Sequence, residues 1–264
     1  MSEYLITFIL GIVQGITEFL PISSDGHLEI AKYFLGDQST GLDSLEMTVI
    51  LHIATTLSIC VVFREKILHI IKGIFTWNPE TIKLVGLIIV SMIPAAIVGL
   101  FFEEYVSSFF NGNIGFVAIM IFINGVILYF GNRVNVLNHE ITPMKSFAMG
   151  IAQMFAILPG ISRSGTTIST AAFFNINRSE AAEFSFIMLL PLMFGKIAKD
   201  LLGGSFNHIQ YSFGSMVLGF VTAFVLGIFA FQLLLKMVKN IKLHYFAYYC
   251  MIVGASLWIY SIMK

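Results

Sequence analysis

The residues of this chain with reactive or ligand-binding side chains are concentrated in two short stretches between apolar runs. The first holds Gln14 and Glu18, followed by Ser23, Ser24, Asp25, Gly26 and His27. The second holds Gln153 and then Pro159-Gly160-Ile161-Ser162-Arg163-Ser164-Gly165-Thr166-Thr167. Gln14 and Glu18 are four apart, so on a helix they share one face. In the second stretch, glycines let the backbone approach a ligand closely and the hydroxyls donate hydrogen bonds. The arginine offers a planar fork for phosphate oxygens. A central arginine costs at least about 2.5–3.5 kcal/mol on membrane-insertion scales, so its place in an apolar chain points to function. The simplest reading is a phosphate-binding loop within the membrane.

Together the two stretches supply carboxylates, an imidazole, hydroxyls and one guanidinium, a set that suits phosphoryl transfer. Arginine and backbone N–H groups hold phosphate and stabilise charge in the transition state. A hydroxyl beside histidine or glutamate can serve as a nucleophile. Carboxylate oxygens and Gln14 can ligate Mg²⁺ or Ca²⁺, which prefer oxygen donors, whereas no Cys/His cluster has the spacing of a zinc site.

Each group also has a purely structural reading. Glu18 can be a protonated helix–helix hydrogen bonder, Ser23 and Ser24 can cap a half-helix, and Arg163 can simply pair with Glu18 or Asp25. His27 can be a structural histidine, although it follows a candidate nucleophile closely and lies beside Asp25. His52 and Glu46 read as packing or supporting groups. Arg178 and Glu180 read as a solvated turn and a helix start.

Composition dictates the surroundings of these groups. Of 264 residues, 57% are hydrophobic and only 11% are charged, with a mean hydropathy of +0.88. A soluble domain carries roughly 25% charged residues, so the chain is an integral membrane protein. The long apolar runs lack the alternation of a membrane β-barrel, so the spans are helical. The formal net charge is zero, and nothing points to nucleic acid. Cys60 and Cys250 both sit in apolar segments and read as small buried hydrophobes. The first segment has no basic flank or small-residue cleavage site and reads as part of the mature protein.

Apolar segments run approximately over 5–20, 45–63, 84–102, 115–131, 147–158, 184–201, 212–235 and 245–263. Six are long enough, or nearly so, to span about 30 Å of hydrocarbon. Segments 5–20 and 147–158 stop at prolines, and each leads through a polar stretch into a second short piece, 28–35 and 168–176. Short broken pairs of this kind predict re-entrant helical hairpins.

The two hairpins resemble each other. Gly11-x-x-Gln14 recurs as Gly150-x-x-Gln153, and Leu20-Pro21 with its hydroxyls recurs at Leu158-Pro159. Glu46-x-Thr48 parallels Glu183-x-Ser185, Gly99 parallels Gly227, and Gly125 parallels Gly254, at spacings of about 128–139 residues. The chain therefore reads as one membrane domain with repeat halves at approximately 1–135 and 140–264.

Basic residues in short loops set the orientation. Arg64, Lys66, Lys72 and Lys83, then Arg133 and Lys145, then Lys236, Lys239 and Lys242 mark cytoplasmic loops. The loops near 36–44, 103–114 and 202–211 carry no Lys or Arg, and Glu103 and Glu104 make one of them acidic. These sets alternate if six segments span and the two hairpins are re-entrant, with both termini outside. Lys196 and Lys199 fit less well and can snorkel or line the outer mouth. Each half then has three spans, which inverts one half relative to the other. Inverted repeats with broken helices place their polar site near the midplane. The sequence-based fold is all-α: six transmembrane helices and two re-entrant hairpins in an inverted-topology repeat.

Gln14-x-x-x-Glu18, Phe19-Leu20-Pro21-Ile22-Ser23-Ser24-x-Gly26-His27 and Pro159-Gly160-x-Ser162-Arg163-Ser164-x-x-Thr167 resemble the undecaprenyl-diphosphate phosphatase family, also known for bacitracin resistance. Glu183-Phe184-Ser185-Phe186 with Pro191 continues the resemblance. It implies hydrolysis of undecaprenyl diphosphate to the monophosphate carrier of peptidoglycan synthesis. It further implies a divalent cation, Mg²⁺ or Ca²⁺, and a site opening to the outer side of the bacterial cytoplasmic membrane. By motif position, Gln14 and Glu18 belong to metal or base chemistry, His27 is an acid or base, and Ser24 is a candidate nucleophile. Arg163 would bind the diphosphate with Ser23, Ser162, Ser164 and Thr167. Two positions depart from the family pattern: Asp25 stands where Thr is frequent, and His52 where many relatives have Gln. Asp25 can assist metal binding or act on the neighbouring His27, and His52 can be a second titratable site group or a neutral hydrogen-bonding substitute. The partners implied are a polyprenyl diphosphate and membrane lipid. The oligomeric state is left open, a homodimer among the options. The competing reading is a polyprenyl-phosphate flippase or transporter, which the same inverted repeat would serve.

Overall fold

The computed structural model describes residues 2–36, 42–102, 105, 109, 113–134, 137–202, 211–238 and 243–263, without the side chains of 42–46, 200 and 201. Glu46, Glu103, Glu104, Lys239 and Lys242 lie outside the described residues or side chains, as does most of the three loops predicted to lack basic residues.

Among the described residues every long element is a helix. The first half holds α1 (Glu3–Thr17), α2 (Ser24–Leu35), α3 (Leu42–Val62), α4 (Arg64–Phe75), α5 (Pro79–Phe101) and α6 (Ile114–Arg133). The second half holds α7 (Pro143–Phe155), α8 (Arg163–Phe173), α9 (Arg178–Leu202), α10 (Phe213–Val238) and α11 (His244–Met263). Among the described residues five helices are long and apolar enough to cross a membrane: α5, α6, α9, α10 and α11. The count reaches six if the pair Met47–Val62 and Arg64–Phe75, bent by 77°, forms one span. The predicted segment 45–63 is thus only the first limb of a bent element.

Local signals set many helix ends. Asn78 caps α5 through the N–H groups of Glu80 and Thr81, with Pro79 in its first turn. Thr142 caps α7 in the same way ahead of Pro143. Gly36 ends α2 in the left-handed conformation, at φ 67°. With 15 and 13 residues, α1 and α7 are about 20 Å long and too short to cross alone. Each packs on the short helix that follows it, α2 and α8 respectively.

Two sequence expectations change here. The second limbs of the hairpins begin earlier than the predicted 28–35 and 168–176, at Ser24 and Arg163. The polar residues therefore occupy first helical turns rather than a loop, because Ser23 and Ser162 cap the helices and draw the following residues into them. Arg178 is the first residue of α9, as expected, but its guanidinium also donates to the Asn132 carbonyl at 3.0 Å.

The helices approach one another through small residues. A Cβ on Gly11 would lie 2.6 Å from the Gly219 carbonyl oxygen, and one on Gly150 would lie 2.2 Å from that of Ser91. On Gly125 it would meet the Ala247 oxygen at 2.7 Å, and on Gly254 the Ala118 oxygen at 2.7 Å. α1 is thereby seated on α10, α7 on α5, and α11 on α6. The charged groups at one end of the bundle also interlock. Lys83 pairs with Glu140 at 3.3 Å, Lys66 pairs with Glu183, and Lys145 donates to the Glu140 carbonyl at 3.0 Å. Glu3 accepts from Ser212 and Ser215, tying the start of α1 to the start of α10.

Candidate functional site

The two hairpin breaks meet. A Cβ on Gly26 would come 2.9 Å from the Gly160 Cα, and Gly160, at φ 107°, leaves no room for a side chain against Met120 and Val117. Ser164 Oγ donates across the junction to the Phe19 carbonyl at 3.3 Å. Asn124 of α6 bridges both breaks: its amide donates to the Pro21 carbonyl at 3.0 Å, and its oxygen accepts from the Ser162 N–H at 3.0 Å. Sequence reasoning missed Asn124. The available signal was an amide in the middle of an apolar run.

Glu18 stands at the centre of the junction. Its Oε2 accepts from Ser24 Oγ at 2.6 Å and from Gln14 Nε2 at 3.1 Å, while Oε1 accepts from Arg163 Nη2 at 3.3 Å. Ser24 therefore does not cap α2; Ser23 does, through the Gly26 N–H at 3.3 Å. Ser23 holds a φ of 73°, rare for a residue with a side chain and a conformation that functional sites tolerate. Its carbonyl accepts from His27 Nδ1 at 2.7 Å.

Arg163 opens α8, directly after the Ser162 cap, which accepts from the Gly165 N–H at 3.1 Å. Its guanidinium stacks 4.8 Å from the Phe186 ring centre and donates to the Ser185 carbonyl at 3.4 Å. The positive end of the α8 dipole and the guanidinium thus face the same junction, a favourable setting for an anion. Ser162, Ser164 and Thr167 are buried, and their hydroxyls are engaged within the protein. Thr167 donates to the Arg163 carbonyl at 2.7 Å and shares a hydrogen bond with Ser185 Oγ at 2.7 Å. These hydroxyls position Arg163 and the turn that presents it. Phe186, also unforeseen as a site group, belongs to the Glu183–Phe186 run noted in the sequence.

His52, read from sequence either as a packing or supporting group or as a second titratable group of the site, lies at the site itself. Its Nε2 is 3.4 Å from Asp25 Oδ1 and 3.8 Å from Glu18 Oε2, and its Nδ1 bonds the Thr48 carbonyl at 2.8 Å. The two positions that depart from the family pattern are therefore neighbours. His27 points elsewhere: its Nε2 meets the Tyr249 hydroxyl at 2.8 Å. Gln153, the counterpart of Gln14, is buried, and neither its amide nitrogen nor its amide oxygen has a hydrogen-bond partner.

Among the described residues no cluster of three His, Cys, Asp or Glu side chains has the spacing of a metal cage. The oxygen donors nonetheless fit a hard cation that takes its remaining ligands from water and phosphate. Gln14 is fully buried and its Oε1 has no partner, beside the Glu18 carboxylate that its Nε2 bonds.

The fold and this junction define a helical, multi-pass membrane protein whose charged centre is assembled from two broken helix pairs. The sequence model of the family described as Bacitracin resistance protein BacA matches residues 7–256, and the chain belongs to that family. Curated relatives carry the name undecaprenyl-diphosphatase. The protein of Christiangramia forsetii is 45% identical over 255 residues, covering 96% of each chain. That of Bacteroides thetaiotaomicron is 37% identical over 260 residues, 96% of this chain and 97% of the relative. That of the methanogen Methanococcus vannielii is 38% identical over 255 residues, 95% and 97%.

Proposed function

We propose that this protein hydrolyses undecaprenyl diphosphate to undecaprenyl phosphate and inorganic phosphate, recycling the lipid carrier of cell-wall synthesis and conferring resistance to bacitracin. The observation that carries the reading is the junction itself. A serine hydroxyl donates to Glu18 at 2.6 Å while the arginine of the opposite hairpin holds the other carboxylate oxygen. This combination of nucleophile, base and phosphate-binding cation favours hydrolysis over the transporter alternative.

In the reaction, Arg163 and the N-terminus of α8 hold the terminal phosphate. Glu18 takes the proton of Ser24 as its Oγ attacks the terminal phosphorus and the bond to the bridging oxygen breaks. Undecaprenyl phosphate leaves, and water then cleaves the phosphoserine to give inorganic phosphate. His27 serves as acid or base, and His52 and Asp25 set the charge beside Glu18. Gln14 and Glu18, with Asp25 alongside, would hold Mg²⁺ or Ca²⁺, which supplies neutralisation of diphosphate charge. The chemistry needs a site that water reaches while a long prenyl chain stays in lipid, and two hairpin tips meeting inside the membrane supply both.

The topology belongs to the same proposal: six spans, two re-entrant hairpins and inverted halves at about 1–135 and 140–264. The reciprocal contacts support it, since Gly125 rests on Ala247 and Gly254 on Ala118, each the other's counterpart at a shift of 129 residues. The interlocked Lys66, Lys83 and Lys145 mark the cytoplasmic face by their basic character. The site then opens outward from the bacterial inner membrane.

The test is phosphate release from undecaprenyl diphosphate by purified protein in detergent, with and without EDTA, beside Arg163→Ala. Release that falls with EDTA and nearly vanishes in the variant is expected. Folded protein that releases none would overturn the reading.

A further inference from the structure

α4 joins two helices that are each long enough to cross a membrane. α3, at 21 residues, is about 31 Å long, and α5, at 23, about 35 Å. α4 holds 12 residues between their ends and turns 77° from the limb before it. It therefore runs across the end of the bundle, close to the plane of the bilayer. The sequence changes character at that bend. Met47 to Phe63 contains no Asp, Glu, Lys or Arg, whereas α4 carries Arg64, Glu65, Lys66 and Lys72 among its apolar residues.

Helical spacing sorts these residues into stripes with different surroundings. Lys66, Ile70 and Gly73 face the protein: Lys66 pairs with Glu183, Ile70 packs on the core, and Gly73 leaves no room for a Cβ against Thr81 of α5. Glu65, His69 and Lys72 are exposed and polar. Leu68, Ile71 and Phe75 are exposed and apolar, Leu68 by 63% and Phe75 by 81%, and Trp77 follows at 79%. A helix resting on a protein in water needs only the first two faces. The third needs an apolar partner.

The adjoining surface identifies that partner. The chain turns at Trp77 and Asn78 directly into α5, whose Ile82, Ile89 and Ile93 are exposed along a helix long and apolar enough to span. Arg64, loosely paired with Glu65 at 3.7 Å, and Lys72 are exposed towards the two ends of the apolar stripe. Long basic side chains there reach headgroup phosphates while their stems cover apolar surface, and Trp settles at the same boundary. We propose that α4 is an interfacial helix bound to membrane lipid. Leu68, Ile71, Phe75 and Trp77 enter the acyl edge of the leaflet at this end of the bundle, and Arg64 and Lys72 meet its headgroups. In the orientation proposed above, that leaflet is the cytoplasmic one. The lipid contact also accounts for a bend that no proline or glycine sets: α4 is held by Glu183 and Thr81 on one face and by the bilayer on another.

The experiment uses the full-length chain in vesicles of phosphatidylethanolamine and phosphatidylglycerol. Single spin labels are attached at Leu68→Cys, Ile71→Cys or Phe75→Cys, and at Glu65→Cys, His69→Cys or Lys72→Cys, with Cys60 and Cys250 replaced by alanine. Collision with oxygen, which concentrates in lipid, is compared with collision with a nickel chelate that stays in water. The ratio of oxygen to nickel collisions should be several-fold higher at each of the first three sites than at each of the second three. Equal ratios on the two stripes would place α4 in water and overturn the proposal. Shielding of the first three sites from both reagents would also overturn it, in favour of a second protein copy on that face. Trp258→Phe leaves Trp77 as the single tryptophan with both cysteines intact. Its emission should be quenched more by lipids labelled near the carbonyl than by lipids labelled at the chain end, and least by aqueous iodide. Strongest quenching by iodide would overturn the proposal even if replacing the cysteines disturbs the fold. Neither measurement uses turnover, so the outcome does not depend on the phosphatase reading.

Discussion

Arg163 and Glu18 are 145 residues apart in the chain and 3.3 Å apart in the fold, and their side chains are only 12% and 10% exposed. The pair joins the first hairpin to the second, each charge offsetting the other. Removing one member of a buried pair leaves the other uncompensated, at a cost of about 3–5 kcal/mol. Glu18→Gln and Arg163→Met should each abolish turnover and lower the melting temperature in detergent. The double variant should regain most of the stability and none of the activity. A double variant no more stable than either single would show that charge pairing is not what couples them.

Asn124 links the same two hairpins by other means. Asn124→Ala leaves the Pro21 carbonyl and the Ser162 N–H without their partner in a buried setting. At about 1–3 kcal/mol for each orphaned group, the variant should melt several degrees lower and lose activity through misalignment of Ser24 and Arg163. Wild-type melting and turnover in Asn124→Ala would show that Gly26, Gly160 and Ser164 hold the junction unaided.

Much of this arrangement was legible before any coordinates. Pro21 and Pro159 mark where α1 and α7 must end, and the hydroxyls after them announce helix caps. The apolar runs give α5, α6, α9, α10 and α11 to within a few residues at most ends. Less legible were features that depend on tertiary packing. The bend between α3 and α4 has no proline or glycine at Phe63 to announce it. His52 stands among apolar neighbours in the sequence, and only the approach of α2 brings Asp25 to it. Ser162, Ser164 and Thr167, read as phosphate ligands, make hydrogen bonds within the protein, since helix N-termini and ligand sites draw on the same residue types.

Glycine contacts offer a test of the proposed duplication that is independent of catalysis. Gly125→Ala and Gly254→Ala each push a methyl group to 2.7 Å from a backbone carbonyl oxygen on the partner helix. Both should destabilise by about 1–3 kcal/mol, and by similar amounts, because the contacts are reciprocal. Gly86 and Gly195 have nothing within 4 Å of an added methyl, so alanine there should be neutral or slightly stabilising. Strongly unequal losses at Gly125 and Gly254 would argue against equivalent roles in the two halves.

Metal dependence should report on Gln14. EDTA is expected to stop phosphate release, and added Mg²⁺ or Ca²⁺ to restore it. Gln14→Leu removes the buried oxygen that has no protein partner. The concentration of cation needed for half-maximal rate should rise about 10–100-fold, the range typical of perturbed metal sites. An unchanged cation requirement in Gln14→Leu would remove that oxygen from the metal site while leaving Glu18 in place.

The 2.6 Å contact from Ser24 Oγ to Glu18 Oε2 falls in the range of strong hydroxyl–carboxylate bonds. A hydroxyl so held is oriented toward its base and has one direction left for attack. If Ser24 is the nucleophile, acid quenching during turnover of substrate labelled in the terminal phosphate should leave label on the protein at Ser24. Glu18→Gln should lose that label along with turnover, because the proton of Ser24 has no acceptor. Ser24→Ala should lower kcat by at least about 10³-fold, the scale on which a lost nucleophile registers. Activity within tenfold of wild type in Ser24→Ala would transfer the attack to a water molecule deprotonated by Glu18. The short contact would then serve to aim the carboxylate, with Arg163 holding its other oxygen.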